Sequence, residues 1–461
     1  MDKRFPLADQ ISMLGSMIRG RVITPSAPDY EALRLVAMAQ FDDRRPLAIV
    51  RVANPADVAT ALNFAQASDL PLAIRAGGHS TGGYGVADGG LVIDLRDLNA
   101  IDVDAANRTV WAGAGATAGD VTRAIEQHGL IVGFGDSGDV GIAGLTLGGG
   151  IGYFARSFGL TIDSLLAVEI VTASGDILIA DAANHPDLFW AVRGGGGNFG
   201  VVTRLQYRLH SLPEFVGGPL VLPPVPEVIA GFARLAAEAP EELTTIAMLM
   251  PLPPAPFIPA EAQGQLAFVA MMAFAGPLDA ANKALAPFRA LATPLADLVG
   301  PAPASSLYML DPPPEARGMA SVRSRFTGNF GLDDARAMVN AARACTAPMS
   351  MSQIRVLGGA AGRVPGDATA FAHRNSRFMV SFLAMYGGGP DIVEAQERWV
   401  SDSVAAVAPV SNGVYVNFLG NGEARGVASA YPADTLARLR DIKRRYDPAN
   451  LFRLNTNILP A

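Results

Sequence analysis

One histidine, His79, stands in the middle of RAGGHSTGGYG (Arg75–Gly85), where five of the eleven residues are glycine. A neutral imidazole is a nucleophile or a proton acceptor, and a glycine turn can hold it close to a ligand without side-chain crowding. Tyr415, in YVNFLGN, carries a phenol whose pKa of about 10 must fall, or find an assisting neighbour, before it serves as a base at neutral pH. It reads equally as a strand tyrosine with a satisfied hydroxyl. Gln353, in the strand-like QIRVLGG, is a candidate pocket amide. The single cysteine, Cys345, permits neither an intrachain disulfide nor a thiolate zinc site, and no HExxH spacing occurs, so no metal is expected.

The elements that must position these groups are legible from pattern. Residues 46–76 divide into strand, helix and strand, with Asn54 as cap, Pro55 in the first turn, and Val58, Leu62 and Ala65 on one face. Such a unit places its two strands parallel. RAGGHSTGGYG then separates two strands. Because no helix follows it directly, it is not the dinucleotide fingerprint. A second glycine-dense stretch, GFGDSGDVGIAGLTLGGGIG, covers Gly133–Gly152, and a third, RGGGGNFGVVT, feeds a strand. Three such loops at strand ends imply one extended ligand lying across several strands.

From about Leu212 proline clusters (PLVLPPVPE, MPLPPAPFIP, LDPPPEA) alternate with amphipathic helices and long strands, an α+β pattern with an antiparallel sheet. Residues 1–211 are read as one domain, 212–412 as a second, and 413–461 as a segment returning to the first. Eleven of the fifteen methionines fall in the second domain. They read as gap-filling core, or as an adaptable apolar pocket. The tail YDPANLFRLNTNI follows a helix marked by Leu436, Leu439 and Ile442. Its asparagines suit hydrogen bonding to a polar group.

Composition narrows the function classes. A net charge of −7 without a basic aromatic patch argues against nucleic acid or an anionic membrane. The basic run Lys443–Arg445 reads as a solvated helix face. No stretch of about 18 apolar residues suggests a membrane span, and no leader cleavage site follows the early apolar run, so the expected location is the cytoplasm.

Taken together, RAGGHSTGGYG, VGIAGLTLGGGIGYFARSFGLTIDSL, RGGGGNFGVVT and YDPANLFRLNTNI resemble the berberine bridge enzyme-like FAD-linked oxidoreductases, which have the vanillyl-alcohol oxidase type of flavin fold. The resemblance covers nearly the whole chain. It implies an α+β, two-domain PCMH-type FAD-binding fold with a central substrate domain on an antiparallel sheet. It also implies a covalent bond from His79 to the flavin 8α-methyl. The N–H groups at Ala76, Gly77, Gly78, His79 and Ser80, following Arg75, suit the pyrophosphate as an anion nest. Further FAD contacts are expected from Ser137, Gly138, Val140, Gly141, Gly144, Gly149, Gly150 and Gly152 in the second loop, from Val202 after the third, and from Asn455 in the tail.

Two departures from the family pattern follow. Many relatives attach FAD a second time through a cysteine, but Ser137 stands there and cannot form the thioether, which leaves His79 as the only tether. Relatives often carry a tyrosine base where this chain has Phe418. The resemblance also places Val140 at the oxygen gate, where valine goes with oxidases. The resulting expectation is an FAD-dependent oxidase that takes a hydride from a small, fairly apolar organic substrate, with O2 reoxidising the flavin to give hydrogen peroxide. The alternatives are a flavin dehydrogenase with another acceptor, an FAD-binding protein with altered turnover, and a nicotinamide enzyme on Rossmann turns. Oligomeric state is not expressed in the sequence.

Overall fold

The computed structural model describes residues 6–253, 258, 260, 263–309, 311, 317–420 and 426–461. Lys3 and Arg4, and parts of the proline clusters at 251–260 and 310–316, lie outside the described residues.

The N-terminal half carries two larger sheets, of four and five strands, and a short antiparallel pair, Leu130–Ile131 with His210–Ser211. In the first, strands Ala48–Arg51 and Leu72–Arg75 flank the helix Pro55–Ala67, which starts where Asn54 Oδ1 accepts the Asp57 N–H at 3.0 Å. The two strands run parallel but are not neighbours. Leu91–Asp94 lies between them, paired parallel to both. Neighbouring parallel strands require the chain to travel back along the sheet, so residues 76–90 are a return crossing rather than a tight turn. That crossing contains His79.

The second sheet orders Ile101–Asp104, Thr109–Gly113, Val201–Arg208, Leu165–Val171 and Ile177–Asp181, every pair antiparallel. The third glycine loop feeds Val201–Arg208 of this antiparallel sheet, and the first, although it follows a parallel strand, leads to the strand Leu91–Asp94 rather than into a helix, so neither is a Rossmann turn. The second glycine loop, unlike the first, does open into a helix, since Gly141 is the N-cap of the short helix Ile142–Leu147.

The central part is an eight-stranded antiparallel sheet beginning at Phe215–Leu222, with Leu243–Pro251 in its interior between Leu266–Ala275 and Met349–Val356. Leu243–Pro251 is buried on both faces. Ala247 and Leu249 pack with the helices Pro226–Glu238, Leu278–Arg289, Leu332–Ala344 and Pro390–Val407. Ile246, Met248 and Met250 join the core of the N-terminal half. Such double burial explains an apolar run without polar alternation in an antiparallel strand. Met248, Met250, Met271, Met272, Met338 and Met379 are all core residues, each under 9% exposed. Among the described residues no helix is long and apolar enough to cross a membrane.

Candidate functional site

The first and second glycine loops touch backbone to backbone. A Cβ on Gly77 would lie 2.4 Å from the Gly141 nitrogen, and one on Gly141 equally close to the Gly77 nitrogen, so neither position accepts a side chain. Gly78 takes φ +77°, the left-handed region that favours glycine. Within this turn the N–H groups of Gly77, Gly78, His79 and Ser80 donate to no other backbone group among the described residues. His79 is half-buried, and burial lowers its imidazole pKa against the opposing pull of Asp139. The ring is therefore neutral at pH 7.

These loops wall a cavity of about 310 Å³ that collects most of the candidate residues. Arg75, Ala76, Gly77, Gly78, His79 and Ser80 line it from the first loop, Ser137, Val140, Gly141 and Gly144 from the second, and Val202, Tyr415 and Asn455 from the remainder. Gly138, Gly149, Gly150, Gly152 and Gln353 do not reach the wall. Gly138 packs on Tyr308 and donates its N–H to Asp311 at 2.6 Å. A Cβ on Gly149 would crowd Phe371, one on Gly150 would lie 2.0 Å from Thr161 Oγ1, and one on Gly152 would strike the Phe134 carbonyl. These are packing glycines: the residue type signals close approach without saying to what. No described methionine lines the cavity either, so the pocket reading of the methionines is not supported.

The tail closes one side through a device that the sequence reading missed. Lys443, expected on a solvated face, is fully buried on the helix Ala433–Tyr446. Its Nζ donates to Asp447 Oδ2 at 2.6 Å, to the Asn198 carbonyl at 2.8 Å and to the Phe452 carbonyl at 3.0 Å. Asn198, in the third glycine loop, in turn donates its amide to Thr456 O and accepts the Ile458 N–H. The third loop and the extended tail are thus sewn together, and Asn198, Phe452, Leu454, Asn455 and Thr456 all face the cavity. Only an i, i+4 Lys–Asp pair at the helix end hinted at this.

Where the central sheet closes over the second loop, Asp136 Oδ2 accepts from Arg355 Nη2 at 2.6 Å and from Gln353 Nε2 at 3.0 Å. Gln353 Oε1 accepts from Arg355 Nε at 2.9 Å, and Arg355 Nη1 donates to the Ile151 carbonyl at 2.7 Å. The guanidinium lies 5.2 Å from the Phe418 ring centre. Gln353 therefore acts behind the wall, while Asp136 and Arg355, not singled out from sequence, form part of it. Tyr415 precedes a 3₁₀ turn, Val416–Phe418, rather than lying in a strand. Its oxygen accepts the Gly150 N–H and the Asn417 amide, both at 3.0 Å, and burial raises its pKa above 10. The lowered phenol that a base would need is not present.

Several features ask for a long polar ligand. Arg75 Nη2 and Asn455 Oδ1 are buried without a hydrogen-bond partner among the described residues. Burial also pulls the Arg75 guanidinium down to about 10, a cost that a nearby anion would relieve. Four amides lack backbone acceptors, and a Cβ on Gly144 or Gly197 would meet nothing within 4 Å, since both border the open space. This donor set fits FAD, with the pyrophosphate on the first-loop amides and a polar ring or chain edge on Asn455. Among the described residues no His, Cys, Asp or Glu cluster could hold a metal.

Comparison with known proteins agrees. Residues 46–181 match the FAD binding domain family, and residues 414–459 match the berberine and berberine like family. The chain is 31% identical to the FAD-linked oxidoreductase YgaK of Bacillus subtilis (strain 168), over 96% of this chain and 97% of that one. It is 29% identical to the (R)-6-hydroxynicotine oxidase of Paenarthrobacter nicotinovorans, over 96% and 97% of the two chains. The crystal structure of the 6-hydroxy-D-nicotine oxidase from Arthrobacter nicotinovorans superposes with a TM-score of 0.85 at 27% identity, covering 96% of this chain and 98% of that one. An α+β fold with an antiparallel central sheet, a glycine-walled cavity suited to FAD, and likeness along nearly the full length make this chain a member of the berberine bridge enzyme-like FAD-linked oxidoreductases.

Proposed function

We propose that this FAD-dependent oxidoreductase is an oxidase of small organic molecules, with its flavin tethered once, through His79. Residues 1–211 and 413–461 hold the cofactor in this reading, and 212–412 supply the substrate side. The observation that carries it is a cavity lined by two unlike sets of groups. One set comprises the first-loop amides, Arg75 and a neutral imidazole; the other comprises Asp136, Arg355 and Phe418.

Bound FAD supplies the hydride-accepting chemistry. The protein's part is to bind and orient. The Gly77–Ser80 amides and Arg75 take the pyrophosphate, and Asn455 meets a polar edge of the cofactor. The glycine turn holds the His79 ring, neutral and nucleophilic, for attachment at the flavin 8α position. Ser137 borders the cavity but has no thiol with which to form a second, thioether link. Val140 lines the cavity with a side chain smaller than isoleucine or leucine, which would leave room for O2, so O2 is the proposed acceptor and hydrogen peroxide the product. The substrate-side wall offers Ile151 and Phe418 around one neutral ion pair, which favours a substrate of low net charge. A lone, half-buried Cys345 supports the proposed cytoplasmic location.

The test is anaerobic mixing of yellow holoenzyme with small organic substrates, followed by admission of air. Bleaching, return of colour and one peroxide per substrate support the oxidase reading. Bleaching that air does not reverse, while a quinone acceptor does, makes the protein a dehydrogenase.

A further inference from the structure

The proposed oxidation needs a group to take the substrate's proton, and the positions first considered do not supply one. Phe418 has no titratable atom. Tyr415 is buried, and its oxygen already accepts two N–H groups. Among the described residues Asp136 is the only carboxylate on the cavity wall.

The two oxygens of Asp136 are differently engaged. Oδ2 carries both hydrogen bonds, from Arg355 and Gln353. Oδ1 has no hydrogen-bond partner among the described residues, and the side chain is 29% exposed, beside an Arg355 that is only 4% exposed. The free oxygen is therefore the one that a ligand in the cavity can reach. Its direction is set in advance, because each partner is fixed from behind. Arg355 is held by the Ile151 carbonyl, and Gln353 by Arg355 Nε and by Ser381 Oγ at 3.3 Å. A rigid acceptor with one open lone-pair face is the geometry that proton transfer asks for. The other ionisable groups that feel Asp136 are Tyr153, Tyr308 and Asp311.

Charge narrows the substrate. Asp136 and Arg355 together are neutral. A cationic amine would leave that part of the cavity with a net positive charge, and a carboxylate would set a second anion against Asp136, each at a desolvation cost. A neutral hydroxyl donates to Oδ1 and leaves the pair balanced.

We propose that Asp136 Oδ1 is the proton acceptor for a neutral carbinol substrate, with Arg355 and Gln353 as positioning residues; this rests on the FAD oxidoreductase reading above. The substrate C–H bond breaks with its electron pair passing to bound FAD. The O–H bond breaks with its proton passing to Oδ1, and the electrons left on oxygen complete the C=O bond. The carbinol is oxidised to a carbonyl and the flavin is reduced.

The test uses wild-type, Asp136→Asn and Asp136→Glu holoenzymes. Each is mixed anaerobically with benzyl alcohol, cinnamyl alcohol and lactose as neutral carbinols, with benzylamine as an amine, and with mandelate as an acid. Dithionite reduction and the protein-bound flavin spectrum serve as controls for folding. The expected result is bleaching of wild type by a neutral carbinol in preference to benzylamine or mandelate. Asp136→Asn should bleach about 100-fold or more slowly at saturation, with an intact flavin spectrum, and Asp136→Glu should regain part of the rate. Asp136→Asn bleaching within a few-fold of wild type overturns the assignment of the acceptor. Faster bleaching by benzylamine or mandelate, or none by any carbinol in a dithionite-reducible enzyme, overturns the substrate class. A purified wild-type protein without flavin would instead overturn the underlying FAD reading.

Discussion

Replacing Lys443 by methionine keeps the length of the side chain and removes its charge, and the structure sets the size of the effect. Lys443 and Asp447 are both fully buried, 2.6 Å apart. The substitution leaves the Asp447 carboxylate with the Leu451 and Phe452 N–H groups as donors, and strands the Asn198 and Phe452 carbonyls. Breaking a buried pair from one side costs about 3–5 kcal/mol. With an unfolding entropy of roughly 2.1 cal/mol/K per residue over 461 residues, that is a fall in Tm of about 3–5 °C if the chain melts as one unit. The local effect is larger in kind, because the same ammonium joins the third glycine loop to the tail. Calorimetry should record the shift, and limited proteolysis read by mass spectrometry should find new cleavage after residue 447. In Lys443→Met/Asp447→Asn no buried carboxylate is left uncompensated, and it should lose less than the single variant. A single variant within about 1 kcal/mol of wild type, with an uncleaved tail, would refute the reasoning.

Two glycines should respond in opposite ways. Gly150→Ala places a Cβ at φ +76° and 2.0 Å from Thr161 Oγ1, so thermal melts should show a loss of about 3 kcal/mol or more. Gly144→Ala meets no protein atom within 4 Å, so the apoprotein should melt normally while the flavin-to-protein ratio drops. Val140→Ile should slow reoxidation by O2 about tenfold, roughly 1.4 kcal/mol of barrier, in stopped-flow traces, leaving reduction by substrate little changed. His210 and His373 are held below the usual 6.5 by burial. The unfolded chain therefore takes up protons at pH 6.5 that the folded chain refuses, and stability should fall as pH drops through that value. Asp311, raised to about 6 by burial, works in the opposite direction, so the Tm profile is best measured in Asp311→Asn; a flat profile between pH 7.5 and about 5.5 would contradict it.

What the sequence made legible was mostly backbone. The glycine loops stand out because close approach and positive φ exclude side chains, and that demand is written locally in composition. The Asn54–Pro55 helix start is equally local. The insertion of Leu91–Asp94 between two strands was not legible, since pairing order depends on contacts across the sheet. The Asp136–Arg355 pair joins residues 219 apart and has no local signature. Lys443 misled for a related reason: a Lys-Arg-Arg run looks solvated when burial is decided by which helix face meets the third glycine loop. Gly149, Gly150 and Gly152 show the limit from the other side. Their type correctly signals crowding, but the crowding comes from Phe371, Thr161 and Phe134 rather than from the cavity.

The account turns on His79 as the single tether of the flavin. Wild-type protein and His79→Ala should be purified, precipitated with acid, and the pellet and supernatant read at visible wavelengths. The prediction is a yellow wild-type pellet, and a colourless His79→Ala pellet with any flavin free in the supernatant. Wild-type colour released wholly to the supernatant, or a His79→Ala pellet as yellow as wild type, would contradict it.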